Sequence, residues 1–129
     1  VPSGGNEISF FLEPGFGERG ERWLVVRLSV GQDMVWDMLP NPVQPRSTIS
    51  PQSLADLIAR EGTPDRTDAG DVILRDMQIA RQPLPDLAVR ISTTPDRLRV
   101  NGILGLDFFQ QFHVVHWRPR THLVVLVGE

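Results

Sequence analysis

Histidines, serines and a few carboxylates are the residues whose types could carry chemistry in this chain. His113, His116 and His122 gather near the C-terminus and are the first metal suspects. Side chains three apart on a strand point to opposite faces, so His113 and His116 cannot share one ion, and no carboxylate lies among them. We read them as ordinary strand histidines. The serines lack the G-x-S-x-G pattern that raises a nucleophile onto a strained turn. Gly15-Phe16-Gly17 precedes a strand, whereas a phosphate cradle needs a strand, a glycine loop and then a helix. No cysteine occurs in 129 residues, which excludes a thiol nucleophile, a thiolate zinc site and a disulfide framework. No metal or cofactor site is expected. Asp107, in Gly105-Leu106-Asp107-Phe108-Phe109, has two readings: a catalytic acid, or a helix N-cap satisfying orphan N–H groups at the positive helix end. Its place directly before an apolar helical run favours the cap.

The overall charge narrows the partners. A formal net charge of −3 with interspersed signs argues against nucleic acid, which normally meets a basic patch. All 13 basic residues are arginine, a compositional habit rather than a site. No stretch approaches the roughly 20 apolar residues that cross a bilayer as a helix. The first residues, Val1 to Asn6, lack the positive-then-apolar pattern of a signal peptide, and compartment is left open. The length suits one domain with a core of moderate size.

Short strands separated by glycine and proline must position whatever site exists. Glu7 to Glu13 reads as a strand with Ile8, Phe10 and Leu12 on one face. Residues 14–20 read as a flexible connector, because glycine and proline both oppose continued pairing. Arg22 to Val30 is the clearest strand, and Met34 to Leu39 returns from a Gly31-Gln32-Asp33 turn as its hairpin partner. Pro40, Pro42 and Pro45 make the next stretch irregular. Ser50-Pro51 opens the one convincing helix, with serine as N-cap, proline at the first position, Leu54, Leu57 and Ile58 as a stripe, and Gly62 as the stop. Asp71 to Ala80 and Leu87 to Ser92 read as strands around a turn at residues 81–85. A short helix over Asp107 to Phe112 and strands His113 to Trp117 and His122 to Val127 complete a mostly-β chain.

The order of these parts is specific. A hairpin, an irregular loop, Thr48-Ile49-Ser50-Pro51 with its helix, further strands, then Asn101-Gly102-Ile103-Leu104-Gly105-Leu106-Asp107-Phe108-Phe109 resembles the retropepsin-like aspartic proteases over roughly Arg22 to Val127. The resemblance implies a single-lobe, retropepsin-like (acid protease) β barrel with one medium and one short helix. It makes residues 1–129 one domain, with 1–21 as N-terminal strand and connector. In that family an Asp-Thr/Ser-Gly loop ends a hairpin arm, and a hydrophobic–hydrophobic–Gly segment packs behind it and leads into a short helix. Ile103-Leu104-Gly105, with Asp107 following, resembles that second motif, which makes these four residues structural.

Counting back from Ile49-Ser50-Pro51 puts the family's Asp-Thr-Gly on Asn41-Pro42-Val43. The resemblance implies a mechanism in which two carboxylates share one proton across a dimer axis. Asn41 cannot ionise. Pro42 has neither hydroxyl nor N–H, and Val43 resists the positive φ open to glycine. Asp37, four residues earlier in Trp36-Asp37-Met38-Leu39, is the alternative acid if the loop is rebuilt; otherwise it is a solvent-facing residue on a hairpin arm. The family's flap falls near Gly62 to Asp71, which is charged and short here.

Three functions follow. The first is a catalytically inactive retropepsin-like domain without catalytic residues, a protein-interaction or dimerisation module. Its partner is a protein or peptide, and it is a monomer or a homodimer unlike the protease one. The second is an active aspartic endopeptidase using Asp37. The third is a small-molecule or peptide-binding β barrel with no protease ancestry, which a structure lacking Ile103 to Gly105 packed behind Asn41 would favour.

Overall fold

The computed structural model describes residues 7–16, 22–93, 100–112, 114–118 and 123–127. Strands β1 (Glu7–Phe11) and β2 (Glu13–Phe16) precede the long hairpin of β3 (Arg22–Val30) and β4 (Met34–Pro40). Then come β5 (Thr48–Ile49), helix α1 (Pro51–Glu61), β6 (Val72–Leu74), β7 (Met77–Ile79), β8 (Gln82–Pro83) and β9 (Leu87–Ile91). The chain continues through β10 (Gly102–Leu104), helix α2 (Leu106–Phe109), β11 (Val114–Arg118) and β12 (Leu123–Val127).

Two sheets form. The larger runs β6-β9-β5-β10-β4-β3-β7-β8, with β2 also on β3; the smaller is β1-β12-β11. Strand β10 lies between β4, to which it is parallel, and β5, to which it is antiparallel. The expected β3–β4 hairpin forms, with Leu28 opposite Trp36 and Val30 opposite Met34. Period-two alternation puts Val26, Leu28, Val30, Met34, Trp36 and Met38 into one core with Ile49, Leu104 and Phe108. Burial of that apolar surface is the main favourable term in folding. Val25, on the opposite face of β3, is buried as well, because Glu13 of β2 pairs with it and Gly15 leaves room for its methyls.

Helix α1 starts and stops where its sequence says. The Ser50 side chain accepts from the Ser53 amide, Pro51 takes the first position, and Gly62 at φ 85° donates its N–H to the Ile58 carbonyl. That left-handed φ is open to glycine at little cost. Its apolar stripe is narrower than the spacing implies: Leu57 is buried, Leu54 packs partly against the core, and Ile58 faces outward.

Four expectations need correction. The connector beginning at Pro14 is strand as far as Phe16, paired with Arg22 to Leu24, so proline and glycine here occupy a strand that pairs on one edge among the described residues. Asp71 to Ala80 is two strands rather than one. The chain turns at Asp76, φ 56°, and sends β6 to β9 but β7 to β3. The next turn sits at Ala80-Arg81, both at positive φ, which leaves Gln82-Pro83 in a strand. Helix α2 begins at Leu106 and ends at Phe109 instead of spanning 107–112. Phe108 nevertheless packs edge-on to both Phe109 and Phe112.

Gly102 holds the centre of the large sheet together. A Cβ there would stand 2.1 Å from the Thr48 carbonyl oxygen and 2.8 Å from the Ile49 Cα. Only glycine lets β10 lie this close to β5. We expect Gly102→Ala to destabilise the fold by about 3 kcal/mol, the upper range for overpacking a filled core. Urea unfolding measures this, and a loss below about 0.5 kcal/mol would contradict the packing described.

Candidate functional site

The site is assembled where β4 ends. Residues Met38 to Pro40 pair in register with Gly102 to Leu104, and the Asn41 amide then donates to the Leu104 carbonyl at 2.8 Å. The Ile103 to Gly105 segment therefore packs directly behind Asn41. That is the arrangement whose absence would have favoured an unrelated barrel. Beyond Asn41 the chain makes a tight turn: Gln44 N–H donates to the Asn41 carbonyl at 3.1 Å, and Val43 N–H to the Asn41 Oδ1 at 3.2 Å. This local side-chain bond is the usual way asparagine stabilises a turn. Val43 is not among the left-handed non-glycine residues, which within the described residues are Asp76, Ala80 and Arg81. The loop therefore takes a path that does not ask a β-branched residue for positive φ.

The loop is pinned from behind by α2. Leu106 N–H donates to the Gln44 carbonyl at 2.7 Å and Asp107 N–H to the Pro45 carbonyl at 3.2 Å. A Cβ on Gly105 would lie 2.6 Å from the Gln44 carbonyl oxygen, so glycine permits this approach. Asp107 is not the N-cap; Gly105 is, with no side-chain cap bond, and Asp107 is the second helical residue. Its Oδ1 accepts from Ser47 N–H at 2.9 Å, Ser47 Oγ at 2.6 Å and Phe108 N–H at 2.8 Å. Ser47, wholly buried, in turn accepts from Gly105 N–H at 2.8 Å. This carboxylate is an anchor, reached from a neighbouring loop as well as from its own helix.

Arg46 extends the anchor. It pairs with Asp107 Oδ2 at 3.6 Å and, at hydrogen-bond contact, with Asp71, whose other oxygen lies 3.7 Å from Arg90 Nε. Asp71 is buried at 8% exposure, and a carboxylate so placed needs such partners. It closes the segment expected to be the flap. That segment is a tight hairpin: Ile73 N–H donates to the Asp65 carbonyl, Arg66 bridges Val72, and Thr67 accepts at its carbonyl and side chain from Gly70 and Asp71 amides. The Arg46–Asp71 pair ties its base to the Asn41 loop.

Asp37 lies elsewhere. It is four residues before Asn41 on β4, about 13 Å along the strand, and directly opposite Arg27 on β3. Arg27 Nε donates to Asp37 Oδ1 at 2.8 Å and Nη2 to Oδ2 at 3.3 Å. Donating to Asp37 holds the pKa of the Arg27 guanidinium above its ordinary value; slight burial opposes this, and the charges of Asp37 and Glu13 add to it. Asp37 is the acidic half of a cross-strand ion pair. The main chain beside it is held by Asn101, which accepts from Asp37 N–H and donates its own amide to the Asp37 carbonyl. Asn101 also bonds Ser53, so it joins β4 to the start of α1.

Of the residues singled out from sequence, the structure brings Asn41, Pro42 and Val43 together with Ile103, Leu104, Gly105 and Asp107, and leaves Asp37 apart. His113 and His122 lie outside the described residues, as does the side chain of His116. Sequence reasoning missed Arg46, Ser47, Asp71 and Asn101. Each acts through a partner 25 or more positions away, and no local pattern signals such a pairing.

If Asp107 is the anchor described, Asp107→Ala strands three donors and we expect a loss of about 3 kcal/mol. Asp107→Asn keeps an acceptor oxygen and is expected to lose roughly half of that. Chemical unfolding of both variants checks the order; an unchanged midpoint for the alanine variant would contradict the anchoring role.

No family model and no curated protein matches the sequence. Among solved structures, the crystal structure of a retropepsin-like aspartic protease from Rickettsia conorii is similar, at TM-score 0.60 and 9% identity. The match covers 96% of this chain and 93% of that one. At that identity the likeness is one of architecture, and the chain has the retropepsin-like fold.

Proposed function

We propose that the chain is a catalytically inactive retropepsin-like domain that serves as a protein-interaction or dimerisation module. The observation that carries this reading is the placement of Asn41. It leaves β4 with its amide on the Leu104 carbonyl, at the point where the resemblance calls for the acid. An aspartic site works because two carboxylates share one proton, one acting on water and the other on the carbonyl. A carboxamide has no proton to share and no charge with which to polarise water. A symmetric pair of such loops would lose both acids at once. The carboxylates tied into this loop, Asp71 and Asp107, both face Arg46 and so are held as counter-ions. Asp37 is committed to Arg27 as its counter-ion.

What speaks for interaction is the surface of the same loop. Val43 is 89% exposed, with Pro42 and Pro45 exposed beside it and Leu106 partly so. An apolar apex is costly in water unless a partner covers it. Pro42 supplies no hydroxyl or N–H to grip a second copy of the loop, so we expect a monomer, or a homodimer built on other surfaces.

Two measurements test this. Cleavage of an unstructured protein substrate, followed from acidic to neutral pH, should be absent in the natural chain and in Asn41→Asp, because Pro42 and Val43 also depart from the family pattern. Robust cleavage by that single variant would sink the reading. Light scattering with a crystal structure should give no symmetric dimer with two Asn41 loops in contact.

A further inference from the structure

A cleft of about 690 Å3 opens at the far end of the β3–β4 hairpin, about 23 Å from Asn41 along β4. It lies between the C-terminal end of α1, the Gly31-Gln32 turn and the corner where β6 breaks from β7. The volume falls within the roughly 300–1,000 Å3 typical of ligand sites. Leu57, Ile73, Met77 and Leu84 form its floor. Its rim is strongly one-signed: among the described residues, Glu61, Asp65, Asp76 and Asp86 stand against Arg75 alone.

That arginine is already taken. Arg75 Nη1 lies 2.6 Å from Asp65 Oδ2 and its Nε 3.4 Å from Asp86 Oδ2. Glu61 accepts from the Gln32 amide at 2.8 Å but, like Asp76, meets no cation among the described residues. The backbone holds Asp76 at this mouth in the left-handed region, with its carbonyl accepting from Gly31 N–H at 3.2 Å. Carboxylates around a concave, low-dielectric wall concentrate the field in the cleft and favour a positive guest.

We propose that this cleft is a docking site for a basic peptide segment of a partner protein. One arginine or lysine would lie between Glu61 and Asp76, and a neighbouring apolar side chain would rest on the Ile73 side of the floor. Charge complementarity selects this occupant over an acidic or neutral one. The apolar floor selects a peptide over a bare polyamine, which has no side chain to place there. The cleft acts independently of the Asn41 loop.

The test uses the full chain and three probes: a fluorescein-labelled hexapeptide alternating leucine and arginine, the same peptide with glutamate for arginine, and spermidine as competitor. We expect anisotropy binding of the arginine peptide, at least tenfold weaker binding of the glutamate peptide, and little displacement by spermidine. Glu61→Gln with Asp76→Asn should weaken the arginine peptide at least fivefold. Asp76→Asn alone serves if the double variant does not fold, since asparagine tolerates the left-handed backbone. Amide shifts in NMR should move at Gln32, Ile73 and Gln78 and stay fixed at Val43 and Gln44. Equal binding of both peptides, displacement by spermidine at matched charge, or unchanged affinity in the variants would overturn the proposal. So would cleft shifts that appear with protein concentration alone, which would make a second copy the occupant.

Discussion

One carboxylate oxygen, Oδ1 of Asp107, is where the chain's distant parts are tied. It gathers the amide and hydroxyl of Ser47 and the amide of Phe108, and Ser47 passes the link on to Gly105. The other oxygen faces Arg46, which reaches on to Asp71 and so to the 62–71 hairpin. Without this anchor the stretch 41–47, crossed by prolines and short of regular hydrogen bonds, has little to fix its path. With it, the loop is positioned as a turn on rigid elements. Burial makes the arrangement demanding, because each donor left without its acceptor costs the full price of desolvation.

That separation of scaffold from chemistry is physically ordinary. The backbone contacts that make the loop, Asn41 N–H to Leu104 and Leu106 N–H to Gln44, do not depend on side-chain identity at 41, 42 or 43. Catalysis depends on those side chains entirely. The same fold can therefore persist whatever chemistry its loop carries, and function has to be argued from the site rather than the architecture.

Much of the scaffold was legible in the sequence because its signals are local. Ser50-Pro51 and Gly62 bracket α1 by capping chemistry, and alternation from Leu24 to Met38 marks the hairpin. Ile103-Leu104-Gly105 was legible as the segment behind Asn41. The misses have common physical causes. The turn at Ala80-Arg81 uses two left-handed residues that are neither glycine nor asparagine, so its positions carry no turn signal. The break at Asp76 arises because the two halves of one apolar run find different neighbours in the sheet. Asp107 has the composition of a cap, yet its job is set by Ser47, 60 positions away. The Arg46–Asp71 tie is of the same kind.

The smaller sheet has a consequence for how the chain folds. β12 lies between β1 and β11, so residues 7–11 wait for residues 123–127 before they can pair. Closing a loop of that length carries a high entropic cost and slows the step that depends on it. On a ribosome, the first strand would leave the exit long before its partner exists, with Phe10 and Ile8 exposed in the interval. The central hairpin, joined by three residues, suffers no such delay. Folding would thus run outward from β3 and β4, and the terminal sheet would act as the clasp that fastens last.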